Sequence, residues 1–149
     1  MSKVDVAVQC FNDGFNCSQA VFSTYCDQLG LDPEVALKIA CPFGSGMGRQ
    51  AESCGAVTGA YMLIGLKYGK YNPEDKDAKE KCYQLVKEFT DKFNEIHGSI
   101  SCKSLLKSDL STPEGLQYIK DNGLWDKLCP IFIRDAAQLI EDLLELERD

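Results

Sequence analysis

Eight cysteines stand in this 149-residue chain, at positions 10, 17, 26, 41, 54, 82, 102 and 129. Cysteine is the side chain that ionises to a soft nucleophile, exchanges disulfides and ligates transition metals. The start, Met1-Ser2-Lys3-Val4-Asp5, lacks the basic stretch and apolar run of a secretion signal, so a cytosolic protein is expected. In a reducing cytosol eight thiols point to metal or redox chemistry more than to a framework of disulfides. A free cysteine also serves as a small buried hydrophobe. Each position therefore has to be weighed against the element that carries it.

Those elements are helices. No segment alternates apolar and polar residues as a strand does. Between Glu74 and Ile96, residues Cys82, Leu85, Val86, Phe89, Phe93 and Ile96 recur at spacings of three and four and form one apolar stripe. Asn72-Pro73 reads as its N-cap and first turn. Phe132, Ala136, Leu139, Ile140, Leu143 and Leu144 repeat the pattern in a last helix expected from Pro130 to about Glu147. Shorter helices are expected over Val4–Phe11, from Asn16 to about Leu29, from Pro33 to Ala40 and from Ser53 to about Tyr68. Two more run from Cys102 to Leu106 and from Pro113 to Asn122-Gly123. Ser111 and Glu114 suggest a capping box for the latter, as Asn16 and Gln19 do for the second helix. The expected fold is all-α, a compact single domain over residues 1–149 with six or seven helices. Residues 42–50 and 97–101 read as irregular.

On this map the cysteines separate. Cys17, Cys54, Cys102 and Cys129 each fall at a predicted helix start. Free N–H groups and partial positive charge gather there, and both favour the thiolate. Cys10, Cys26 and Cys82 lie inside helices and read as packing. Cys41 ends a helix beside the glycine-rich stretch and is kept as a residue near the site. The four candidates are far apart, and no Cys-x-x-Cys occurs, so spacing alone argues neither for a zinc site nor for a thioredoxin-like one. Any convergence has to come from the fold, as it does in helix bundles.

Phe43-Gly44-Ser45-Gly46-Met47-Gly48-Arg49 is no phosphate loop, because no strand precedes it and no Gly-Lys-Ser/Thr follows. Its glycines suit a close backbone approach to Cys54. Gly55, Gly59 and Ala60 suit a close helix contact. Arg49 reads first as an exposed surface residue; the alternative is that it stabilises a thiolate or an anionic cluster, and Arg49, Gly55 and Cys41 are the candidates for residues around the four cysteines. His97, the only histidine, reads as a structural or surface residue.

Three stretches, Gly14-Phe15-Asn16-Cys17-Ser18-Gln19-Ala20-Val21, Phe43 to Arg49, and Cys54-Gly55-Ala56-Val57-Thr58-Gly59-Ala60, resemble the C_GCAxxG_C_C family of redox-active proteins. Cys102, Leu105-Leu106, Asp109-Leu110-Ser111 and Cys129-Pro130 extend the resemblance over nearly the whole chain. Ala51 stands where the family pattern has glycine. The four cysteines of the family name fall on Cys17, Cys54, Cys102 and Cys129. The chain is also similar to the iron–sulfur domain of split-Soret cytochromes. That resemblance implies an all-helical fold and a cluster of the [2Fe–2S] type on those four cysteines. Haem is not implied, since Cys-x-x-Cys-His is missing.

Three readings follow. The first is an iron–sulfur or other metal-binding electron carrier with an unidentified redox partner protein. The second is a metal-free thiol–disulfide oxidoreductase or redox sensor on the same cysteines. The third is a non-enzymatic helical module. The net charge of −7 argues against nucleic acid and anionic membranes as partners. A homodimer is compatible with so small a bundle.

Overall fold

The computed structural model describes residues 1–149. Eight right-handed helices make up the chain, one for each segment expected to be helical. They are α1 (Lys3–Asn12), α2 (Cys17–Tyr25), α3 (Pro33–Ala40), α4 (Gly55–Tyr68), α5 (Lys76–His97), α6 (Cys102–Leu106), α7 (Pro113–Asn122) and α8 (Leu124–Leu144). There are no strands, and one isolated antiparallel bridge joins Ser53 to Ser101. No helix is long and apolar enough to cross a membrane.

The core is one connected cluster, which makes the fold a single all-α domain. α4 lies at its centre, with Ala56, Val57, Ala60, Leu63 and Ile64 fully buried. It carries apolar or small residues on every side, as a helix surrounded by others must. α2, α5 and α8 pack about it. α5 buries only Phe89 and Phe93 from its stripe, and Ile96 at the stripe's end is exposed. α2 and α4 approach closely because Gly59 faces α2. A Cβ there would stand 2.8 Å from the Ser18 carbonyl oxygen and 3.2 Å from Val21 Cβ.

The helix ends correct the expectations in three places. α5 is capped by Asp75, whose carboxylate accepts from the Ala78 N–H at 3.0 Å; Asn72 instead accepts from Glu74 N at 3.0 Å within the preceding turn. Thr112, not Ser111, caps α7, its hydroxyl accepting from Gly115 N at 3.0 Å. The largest difference is in α8. Gly123 is left-handed (φ 59°), ends α7 and at once begins α8. Pro130 therefore lies inside the helix, and Cys129 is well past its first turn. Tertiary packing of Phe132, Ile133, Ala136, Ala137 and Ile140 holds the helix through the proline, against the loss of one backbone donor.

Candidate functional site

Each of the four candidate cysteines is fixed by a different local device. Asn16 caps α2. Its Oδ1 accepts from Gln19 N at 3.0 Å while Gln19 Oε1 accepts from Asn16 N at 3.0 Å, the expected capping box. The same two side chains donate to α3 and the turn after it, Gln19 to the Leu37 carbonyl and Asn16 to the Cys41 carbonyl, both at 3.0 Å. Cys17, the first residue of α2, is thus held from two directions.

Cys54 is the N-cap residue of α4, and Cys102 is the first residue of α6. The Ser53–Ser101 bridge ties them together. Cys54 N–H donates to the Ile100 carbonyl at 2.7 Å and Cys102 N–H donates to the Glu52 carbonyl at 2.6 Å. In an antiparallel pair, residues either side of a bridged pair project to one face. Cys54 and Cys102 therefore share the face opposite Ser53 and Ser101. Gly55 completes the arrangement: a Cβ on it would stand 3.0 Å from Ser18 N and 3.1 Å from Cys17 Cβ. The start of α4 rests directly on the start of α2.

Cys129 comes from the interior of α8. Trp125, Cys129 and Phe132 are spaced four and three apart, which puts them on one helix face.

All four cysteines line one cavity of about 440 Å³, and all four are buried, free thiols. Phe11, Phe15, Trp125, Phe132, Leu105 and Leu106 supply most of its apolar wall, and Asp126 lies at its edge. Ser45, Gly46 and Arg49 close another side. That segment is left-handed. Ser45, Gly46, Met47, Gly48 and Arg49 have φ of 56°, 65°, 68°, 65° and 70° in succession. Each non-glycine residue in this conformation costs about 1 kcal/mol or more. The turn is held by Gly48 N to the Gly44 carbonyl at 2.8 Å and Glu52 N to the Gly46 carbonyl at 2.9 Å. A Cβ on Gly46 would lie 2.6 Å from Glu52 N, so glycine is required there by space as well as by φ.

The thiols interact. Cys17 is pushed well above the ordinary thiol range, first by its nearness to the Cys129 side chain and then by burial. Burial and the nearness of Cys17 push Cys54 up to about 12, against the opposing pull of the Ala56 and Val57 amides. Cys102 is likewise pushed up to about 12, by burial first and then by Cys54, Cys17 and Asp109. This reverses the expectation that helix-start amides lower these values. The amides act as expected on Cys54, but removing a thiolate from water costs more than two amides return.

The other cysteines stay outside the cavity lining. Cys10 Sγ is 3.8 Å from Ser23 Oγ, and Cys26 donates to the Ser23 carbonyl at 3.4 Å. Cys82 is half-buried on α5, and Cys41 is exposed. Cys41 meets the site only through its carbonyl, which holds Asn16. Gly55 and Arg49 both line the cavity. His97 does not; its Nε2 is 2.8 Å from Asp135 Oδ2, and its ring packs on Phe93 and Phe132 at 4.7 and 5.0 Å. The aromatic wall was invisible to spacing, because starting the last helix at Pro130 removes Trp125 from the face that carries Cys129.

No three His, Cys, Asp or Glu side chains stand about one point closely enough to hold a single metal ion. The thiols influence one another across the cavity, Cys17 with Cys129 and Cys54, and Cys102 with both Cys54 and Cys17, while the Ser53–Ser101 bridge ties the backbones beside Cys54 and Cys102.

The family model described as "Putative redox-active protein (C_GCAxxG_C_C)" matches residues 15–143. No curated protein and no solved structure matches the chain.

Proposed function

The chain belongs to the C_GCAxxG_C_C family, and on that premise we propose that Cys17, Cys54, Cys102 and Cys129 hold an iron–sulfur cluster of the two-iron type in a small electron-transfer protein. The observation that carries this reading is the gathering of four buried thiols from four helices around one cavity. Their chemistry fits a cationic centre. Each thiolate raises its neighbours, and Cys54 and Cys102 are pushed up to about 12. Four thiolates cannot coexist in such a place without positive charge among them, and a coordinated metal deprotonates thiols outright. A two-iron cluster asks for two thiolates per iron, four in all, which is the number of thiols on the cavity lining.

When bound, such a cluster supplies one-electron transfer. The chain's own residues hold, shield and tune it. The amides of Ala56 and Val57 favour the ionised Cys54 sulfur electrostatically, and amide donors to cluster sulfur raise the potential. Phe11, Phe15, Trp125 and Phe132 limit water at the cavity. Arg49 offers a positive charge at its edge.

The nearness of the Cys17 and Cys129 side chains favours one second reading, a metal-free dithiol that closes to a disulfide. Anaerobic purification decides between them. The cluster reading expects visible charge-transfer absorption with about two iron and two sulfide per chain, lost when any one of the four cysteines is replaced by alanine. Colourless, iron-free protein with every thiol titratable refutes it. The dithiol reading then requires a Cys17–Cys129 cross-link in the oxidised protein, read by peptide mass spectrometry.

A further inference from the structure

We propose that the mouth of the cavity is a small-molecule site for a flat aromatic monoanion, its ring lying against Trp125, Phe15 and Phe11 and its acid group on Arg49. The proposal rests on the redox reading in that the ligand is brought to the cysteine floor; it does not depend on which group the sulfurs hold.

Exposure separates floor from mouth. The four cysteines are 4–9 % exposed. Phe15 is 39 % exposed, Phe11 and Trp125 are half-buried, and Arg49 and Asp126 are exposed. A cavity of about 440 Å³ falls within the range of roughly 300–1,000 Å³ typical of small-molecule sites. The four atoms of a two-iron core would leave much of it open. An aromatic lining of this kind, with few polar groups, selects a flat apolar body and lets the polar groups fix its orientation.

The polar groups give the charge. The chain has three arginines, and two are committed: Arg134 pairs with Asp5, and Arg148 with Glu141 and Asp142. Arg49 alone has no carboxylate partner, in a chain with 23 acidic residues. It lines the cavity from a left-handed backbone position, φ 70°. A guanidinium is a fitted partner for a carboxylate or sulfonate. One arginine on a lining that also carries Asp126 suits a single negative charge and rejects two. Phosphate-rich ligands are excluded by the same count, since no second cation lines the cavity.

Naphthalene-2-sulfonate is the probe, titrated by calorimetry. Trp125 is the only tryptophan, so its indole N–H resonance locates the binding. Saturable binding with a shift of that resonance is expected. Binding should weaken about tenfold for the neutral naphthalene-2-sulfonamide and, with the sulfonate, about tenfold in Arg49→Gln, the loss of one charged hydrogen bond. Naphthalene-2,6-disulfonate should bind poorly and recover in Asp126→Asn. Equal affinity for sulfonate and sulfonamide in the unaltered protein overturns the proposal without any variant. So does an unmoved indole resonance, or Arg49→Gln binding as tightly as the parent. Iron measured on the same samples separates the two readings. Iron-free protein that binds the probe sinks the cluster alone, and iron-loaded protein that binds nothing sinks the aromatic site alone.

Discussion

Gly59 and Gly65 lie in the same helix, and replacing each by alanine should move stability in opposite directions. Alanine gains about 1 kcal/mol over glycine in a helix interior, and this gain is common to both sites. At Gly65 the space a methyl group would fill has no neighbouring atom within 4 Å, so Gly65→Ala should simply collect the gain. At Gly59 the new Cβ would stand 2.8 Å from the Ser18 carbonyl oxygen and 3.3 Å from Ser18 Cα. These are backbone atoms of a packed helix, which cannot rotate away. α2 must retreat by roughly half an ångström, and such overpacking costs about 1–3 kcal/mol. The difference between the variants isolates that cost, because the propensity gain cancels. At about 2–4 °C per kcal/mol for a chain of this size, Gly59→Ala should melt several degrees below Gly65→Ala. Thermal unfolding followed by circular dichroism measures it. Because α2 begins at Cys17 and α4 follows Cys54, the proposed cluster reading also expects Gly59→Ala to lower iron retention while Gly65→Ala leaves it intact. Equal melting temperatures would refute the close packing of α2 on α4.

Ser18 Oγ is fully buried and has no hydrogen-bond partner; since an unpaired buried hydroxyl costs about 1–3 kcal/mol, Ser18→Ala should raise the urea midpoint or leave it unchanged, and a loss above about 1 kcal/mol would show that the hydroxyl has a partner after all. Asn16→Ala removes the α2 cap and the tie to Cys41 and should cost about 1–2 kcal/mol in urea unfolding; a cost near zero would mean the cap does not hold Cys17. Cys54 and Cys102, both pushed up to about 12, should alkylate far more slowly at neutral pH in metal-free protein than the exposed Cys41, read by peptide mass spectrometry. Their folded values lie above those of free thiols, so the neutral form favours the fold. The stability they contribute is present below about pH 9 and lost as pH climbs toward 12. A Cys54→Ala/Cys102→Ala variant should show a shallower alkaline loss in urea midpoints, and an unchanged slope would contradict this.

Local sequence carried the helices wherever the signal was local. The capping box of Asn16 and Gln19, the start of α3 at Pro33, the end of α4 at Tyr68 and the end of α7 at Asn122-Gly123 are short-range chemistry, and the structure has each of them. Where a local signal competed with packing it misled. Pro130 looked like a helix start, yet α8 runs through it because the apolar face on both sides is anchored in the core. The glycines at 44, 46 and 48 announced an irregular segment, but a left-handed run that takes in Ser45, Met47 and Arg49 depends on neighbours that hold it.

The all-α class, the stripes of the long helices and the helix starts at Cys17, Cys54 and Cys102 were legible in the chain alone, because caps, stops and stripes act over a few residues; Cys129 stood out through a helix start that the structure does not have. That residues 17, 54, 102 and 129 meet was not legible there. Their meeting comes from the contact of Gly55 with Cys17, the Ser53–Ser101 bridge and a helix that carries Trp125 and Cys129 on one face, all of them long-range arrangements. The sign of the thiol shifts is long-range in the same way. A helix start favours the thiolate locally, but how much water surrounds a sulfur is a property of the whole fold, and here the loss of that water is the larger effect.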